Sequence, residues 1–270
     1  MAVVNRTPDS FYDKGATFAL DRAVEACVRA AEAGADWVDI GGVPFGLGPA
    51  VSLDEELERV VPVVEAIARA SDVVISVDTF NAVVAREAIA AGASVINDTS
   101  GLFDSGMAEA VAATEATLVL THSMSPPRAE PPRPEYTDVV IEVVDFLRDR
   151  VARAEAAGIP RDRLIIDPGH DLNKNTWHTL ELTRRLREVV ALGLPTLAAV
   201  SNKDFIGETL DREQGQRLEG SLAAMVYCIL EGARIVRMHD VRASVDAVRM
   251  TEAILGWRDP AYTKHNLGEG

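Results

Sequence analysis

Residues 37–79 read WVDIGGVPFGLGPAVSLDEELERVVPVVEAIARASDVVISVDT, and this stretch decides the fold. Its two ends, Trp37–Gly42 and Val73–Thr79, are short, apolar and rich in β-branched residues, as expected for strands buried on both faces. Between them LDEELERVVPVVEAIARA (53–70) spaces its apolar side chains three and four apart with charges opposite, which predicts an amphipathic helix. Strand, helix and strand in succession make a βαβ unit, whose two strands run parallel.

The same beat recurs on both sides. Further strands are expected at Ala2–Asn5, Ser94–Thr99, Thr117–Ser123, Leu164–Gly169, Pro195–Asn202 and Ile235–Val241. Helical segments such as DRAVEACVRAAEAG and EVVDFLRDRVARAEAAGIP lie between them, and Gly34, Gly92, Gly158 and Gly232 fall where helices should stop. Eight such units in 270 residues predict an α/β chain folded as one (β/α)8 TIM barrel, residues 1–270 forming a single domain. A doubly wound open sheet is the rival, but it usually has fewer strands, and no Gly-rich dinucleotide loop follows the first strand. The segment Ser125–Tyr136, SPPRAEPPRPEY, follows the fifth strand and reads as a stiff surface loop or a lid.

Composition narrows the classes. The chain is 47% apolar and 26% charged, which excludes disorder and a disulfide scaffold. No apolar run reaches the ~20 residues of a membrane span. Cys27 and Cys228 sit in apolar helical contexts and read as core thiols, consistent with a reducing, cytoplasmic setting. Against 42 acidic residues stand 27 Lys and Arg, a net −15 that argues against nucleic acid or an anionic membrane as partner. An anionic ligand would have to be held by a few local cations.

Barrel enzymes build their sites at the C-terminal ends of the strands. Those ends here carry Asn5, Asp39, Asp78, Asn97, Asp98, His122, Asp167, Lys203, Arg237 and His239. One strand-end Asp is commonly a turn or cap residue, but polar side chains at nearly every strand encode a pocket. Asp78, Asn97 and Asp167 suit a planar, donor-rich heterocycle. Lys203, Arg237 and His239 suit a phosphate or developing negative charge. Asn5 is an oxygen donor of the kind Mg2+ accepts alongside substrate phosphates. The five histidines show no zinc spacing, and no Cys pair accompanies them.

The series VVNRTPDSF (3–11), VDIGG (38–42), ISVDT (75–79), INDTSG (96–101), LIIDPG (164–169), FIG (205–207) and VRMHDV (236–241) resembles dihydropteroate synthase, in order and across nearly the whole chain. The resemblance implies a barrel homodimer formed through helices. It also implies Mg2+-assisted displacement of pyrophosphate from 6-hydroxymethyl-7,8-dihydropterin pyrophosphate by p-aminobenzoate. It assigns the pterin to Asp78, Asn97, Asp167 and Lys203, the pyrophosphate to Arg237 and His239, and Mg2+ to Asn5. Lys203, Arg237 and His239 would be the catalytic cations. Departure of pyrophosphate from a ring-stabilised carbocation makes catalysis largely electrostatic. The resemblance also puts several residues ahead of the first strand, so the start is expected upstream.

The departures fall on the second substrate. The family's GGESTRPG becomes Gly41-Gly42-Val43-Pro44-Phe45-Gly46-Leu47-Gly48-Pro49, and SRKSFIG becomes Ser201-Asn202-Lys203-Asp204-Phe205-Ile206-Gly207. DPGIGFGKT becomes Asp167-Pro168-Gly169-His170-Asp171-Leu172-Asn173-Lys174-Asn175. Two arginines vanish and Asp204 appears where a carboxylate-binding serine is expected. The pterin half is therefore expected to survive while p-aminobenzoate is disfavoured. Asp204 is expected near a helix N-terminus, where it repels that carboxylate or caps the helix. The readings are a working synthase, a divergent paralogue that binds the pterin pyrophosphate (sensor, partner subunit or transferase to another nucleophile), and, weakest, a corrinoid-system methyltransferase.

Overall fold

In a computed structural model, residues 1–5, 20–44, 47–125, 127–130 and 132–266 are described. The residues Arg6–Phe11 and the pair Phe45-Gly46, singled out above, lie outside them, as do Pro126 and Pro131 of the proline-rich segment.

Eight parallel strands are present where the pattern called for them: β1 Ala2–Asn5, β2 Trp37–Gly41, β3 Val74–Asp78, β4 Val95–Asp98, β5 Thr117–Thr121, β6 Leu164–Asp167, β7 Leu197–Ala198 and β8 Ile235–Val236. The helices are α1 Leu20–Glu32, α2 Leu53–Ala70, α3 Ala82–Ala91, α4 Met107–Ala112, α5 Val139–Ala156, α6 Thr176–Arg184, α7 Leu186–Val190, α8 Asp204–Leu210, α9 Leu218–Leu230 and α10 Val241–Ile254. β1 to β6 form one sheet in sequence order and β7 pairs β8. Single bridges join Ile166 to Thr196 and Ala2 to Met238. Those bridges close the circle, so the open-sheet alternative fails and the fold is a (β/α)8 barrel. β7 and β8 are shorter than the sequence suggests. There the chain leaves ladder geometry early, and Ser201, Lys203, Arg237 and His239 sit on the loops just beyond.

Alternation along each strand sorts the core. Val38, Ile40, Ile75, Val77, Ile96, Leu118, Leu120, Leu164 and Ile166 point outward and pack under the helices in one continuous shell. Val95, Val119, Ile165 and Leu197, with Trp37, Val74 and Ile235, point inward and plug the lower barrel. Above that plug the inward positions turn polar, at Asp39, Ser76 and Asn97, all fully buried. The helices are ended locally. Ser52 caps α2 by accepting from the Glu55 amide, and Asn175 with His178 forms a capping box on α6.

Candidate active site

Strand register builds the site. Asn5 pairs Gly41, Gly41 pairs Asp78, and Asp78 pairs Asn97, so three of the expected residues share one layer at the mouth. Thr121 pairs Asp167 across the barrel wall. Asp98, the neighbour of Asn97, has the bland role instead: buried on the outward side, it accepts from the Ser100 and Leu102 amides and shapes the β4 loop.

Beneath this layer lies a network whose centre is Asp39. Its Oδ1 accepts from Ser76 Oγ at 2.6 Å, and its Oδ2 accepts from Asn97 Nδ2 at 3.0 Å and Arg237 Nε at 2.6 Å. Arg237 then reaches Asp78 Oδ2 through Nη2 at 3.2 Å, and Thr99 donates to Asp78 Oδ1 at 3.1 Å. Burial opposes the charge on Arg237, but Asp39 and Asp78 outweigh it and hold the guanidinium protonated. Burial pushes Asp78 up, against the pull of Arg237. The sequence reading left Asp39 without a role. Its signal was there: in Trp37-Val-Asp39-Ile-Gly41 the period of two turns Asp39 inward, where an apolar residue would otherwise stand.

Asn97 spends its amide nitrogen on Asp39 and leaves Oδ1 buried with no partner. A buried acceptor without a donor costs free energy unless a ligand supplies one. Asp167 is likewise buried, and its Oδ1 accepts from the Gly169 amide at 2.7 Å. Burial raises its pKa against that bond and against Lys203, Arg237 and Lys174. Gly169 has φ +67°, and a Cβ there would lie 2.2 Å from the His122 carbonyl oxygen, so no other residue fits. Lys174 locks the same loop. Its Nζ sits 2.9 Å from His122 Nδ1, Gly169 O and Leu172 O, and burial pushes its pKa down to about 7.

Lys203 precedes α8, and burial lowers its pKa against Asp171 and Asp167. Ser201 Oγ accepts from the His239 amide at 3.1 Å and lies 3.0 Å from Nδ1, so one hydroxyl fixes both the backbone and the ring of His239. Asp204 corrects the electrostatic reading. It is the first residue of α8 and makes no cap; its Oδ1 accepts from Arg217 Nη1 at 2.9 Å. Asp204 is 76% exposed and Arg217 10%, so the added carboxylate brings a largely buried cation with it. No group of three metal-binding acidic, His or Cys side chains exists among the described residues, and Asn5 ends β1 with an amide oxygen beside Gly41. One amide oxygen suits an ion bound mainly through ligand phosphates and water, as Mg2+ commonly is.

Above Asp78 opens a vestibule of about 200 Å3, walled by Val43, Pro44, Leu47, Phe80, Pro127 and Leu172. A closed barrel with a buried acid–amide–guanidinium floor and cations at its rim defines a class of protein. The pterin binding enzyme family model matches residues 1–239, and the chain belongs to that family. Within it, the chain is a member of the dihydropteroate synthase group. It is 46% identical over 273 residues to the "Inactive dihydropteroate synthase 2" of Mycobacterium tuberculosis, covering 99% of this chain and 86% of that protein. It is 42% identical over 260 residues to the dihydropteroate synthase of Escherichia coli, covering 96% and 92%. The Yersinia pestis dihydropteroate synthase, solved with a sulfonamide drug complex, superposes with a TM-score of 0.91 at 40% identity, covering 96% and 94%.

Proposed function

We propose that this chain, residues 1–270 acting as one domain, binds 6-hydroxymethyl-7,8-dihydropterin pyrophosphate at the barrel mouth and transfers its pterin-methyl group to p-aminobenzoate, releasing pyrophosphate. The observation that carries this reading is the unpartnered Asn97 Oδ1 between Asp78 and Asp167, which asks for a flat ring bearing N–H donors. Lys203 closes that ring site. Arg237 and His239 face the pyrophosphate, and the charge of Arg237 is held by Asp39 and Asp78 before any ligand arrives. That preorganisation stabilises the charge that builds on the leaving oxygens without rearrangement. Asn5 would hold Mg2+, whose charge, when bound, offsets that of the phosphates.

A second reading, a chain that binds the pterin pyrophosphate but condenses p-aminobenzoate weakly or not at all, is favoured by two observations. The mycobacterial relative is named inactive, and Asp204 engages the Arg217 guanidinium and so keeps it from an incoming carboxylate. The test is pyrophosphate release and pteroate formation with Mg2+ and the pterin pyrophosphate, with and without p-aminobenzoate. Pteroate at an enzymatic rate supports the first reading. Tight pterin binding without pteroate supports the second, and no pterin binding sinks both. Asp204→Ser frees the Arg217 guanidinium for an anion, so it should tighten p-aminobenzoate binding about tenfold, a gain of about 1.4 kcal/mol. Unchanged affinity would remove Asp204 as a barrier.

Homodimerisation in the cytoplasm completes the proposal. α9 is apolar nearly all round, with Tyr227 and Leu230 exposed on its outer face, and Met250 and Ile254 are exposed on α10. The buried free thiols Cys27 and Cys228 suit a reducing compartment. No helix among the described residues is long and apolar enough to cross a membrane.

A further inference from the structure

The proline-rich segment after β5 is tied down on opposite sides of the barrel. On the β6 side, the Met124 amide donates to Asn173 Oδ1 at 2.6 Å, the Asn173 amide meets Ser125 Oγ, and Tyr136 donates to the Asn173 carbonyl at 2.9 Å. On the β2 side, Arg128 donates through Nη1 to the Pro44 carbonyl at 2.6 Å, and through Nε and Nη2 to the Pro49 carbonyl at 3.3 Å. β2 and β6 lie four strands apart in an eight-stranded barrel, so a segment bonded to both crosses the mouth. Pro127, Arg128 and Ala129 thereby line the vestibule above Asp78, facing Phe80 and Leu172.

The fit between the two loops is specific. A Cβ at Gly48 would lie 1.9 Å from Arg128 Nη2, so the guanidinium rests on the bare face of that glycine. Gly48 is not required here by backbone conformation, since its φ lies outside the left-handed region. Its bare face instead seats the arginine of a loop eighty positions away, and any side chain at 48 would displace that guanidinium from its present place.

We propose that Arg128 is the positioning residue of the acceptor side: it straps the β5 loop to the β2 loop and so forms the roof under which the acceptor's aromatic ring is held. This rests on the transfer reading above, and it concerns the second ligand only. The barrel-floor groups Asn97, Asp167, Lys203 and Arg237 do not line the vestibule. The lining mixes apolar side chains, Phe80, Leu47 and Leu172 among them, with polar ones that include Asp78 and Asp171, and a cavity the size of one substituted ring so lined suits a flat arylamine, its amine toward Asp78. The loop cation missing from the β2 segment is in effect supplied from the β5 segment, as a clasp on backbone carbonyls.

The experiment titrates p-aminobenzoate and its neutral analogue 4-aminobenzamide into the wild type, Arg128→Gln and Gly48→Ala, each alone and saturated with pterin pyrophosphate and Mg2+. Ligand-observed NMR reads ring affinity and calorimetry reads pterin affinity. Both variants change only the vestibule rim, and Gly48→Ala displaces just the far end of a flexible side chain, so both should fold with the wild-type melting temperature. The expected result is about a tenfold loss for both rings in both variants, with pterin affinity within twofold of wild type. Wild-type ring affinity in either variant overturns the strap. Loss of p-aminobenzoate alone overturns it in favour of a direct Arg128–carboxylate contact. Loss of ring and pterin affinity together overturns the restriction to the acceptor side, and no ring binding by the wild type overturns the vestibule as a ring site. A wild type that binds rings but not the pterin pyrophosphate fails the transfer reading while leaving the strap testable on the ring arm.

Discussion

Asp39→Leu should lower the unfolding free energy by about 4 kcal/mol at neutral pH, seen as an earlier urea midpoint at unchanged slope. Asp39 is fully buried and satisfies three donors at once, from Ser76, Asn97 and Arg237. Leucine there removes the acceptor and leaves a buried guanidinium with Asp78 as its one remaining carboxylate in the network. An uncompensated buried charge is the expensive part, since the lost hydrogen bonds alone are worth about 1 kcal/mol each. Asp39→Asn keeps an acceptor oxygen and should cost less, about 2 kcal/mol, by losing only the charge of the pair. Adding Arg237→Met to Asp39→Leu should restore much of the loss, because an apolar pair replaces the whole ion pair. The pterin pyrophosphate should still be lost from that double variant, which separates stability from binding. A single Asp39→Leu variant within 1 kcal/mol of wild type would mean the network does not hold the barrel floor.

His170→Leu should stabilise the protein, and more so in acid. The ring is fully buried and both nitrogens lack partners, so an apolar side chain of similar size removes two unsatisfied polar atoms. The gain at pH 7.5 should be about 1–2 kcal/mol. Burial, reinforced by Lys174 and Lys203, pushes the folded pKa of His170 down to about 3 from 6.5. Below pH 6.5 the unfolded chain therefore takes up a proton that the folded chain refuses. Stability contributed by this site falls as pH falls through that window, by about 1.4 kcal/mol per pH unit once well below 6.5. From pH 7.5 to 5 the advantage of the leucine variant should grow by about 2 kcal/mol. Raised carboxylates such as Asp98, Asp167 and Asp171 act in the opposite sense, since they hold protons in the folded state and gain stability in acid. The difference between the two proteins cancels that background. An advantage equal at pH 5 and pH 7.5 would show that His170 titrates normally. His122 is the wrong position for this test, because its Nδ1 is a partner of Lys174.

Most of the fold was legible in the chain. Buried parallel strands are continuous apolar runs, and their helices carry a period near 3.6, so eight units could be counted from side chains alone. The candidate site was legible for a related reason: Asp78, Asn97, Asp167 and Arg237 interrupt apolar runs at strand ends, and the barrel gathers Asp78, Asn97 and Arg237 into one network with Asp39. The left-handed turn that brings the Gly169 amide to Asp167 is local, but the His122 carbonyl that excludes any Cβ there comes from just beyond β5.

What the sequence could not express was pairing at long range. That Arg237 is seated by Asp39, 198 positions away, follows from barrel closure, which brings the eighth strand beside the first. Asp204 read as a repulsive charge or a helix cap until folding brought Arg217 against it. The proline-rich segment read as a stiff surface loop, with a lid as the alternative, because nothing local says where its arginine lands. Residue type and periodicity act over a few neighbours and determine strands, helices and which face is polar. The partner of a buried charge is chosen by strand register and loop crossing, which exist only once the barrel has closed.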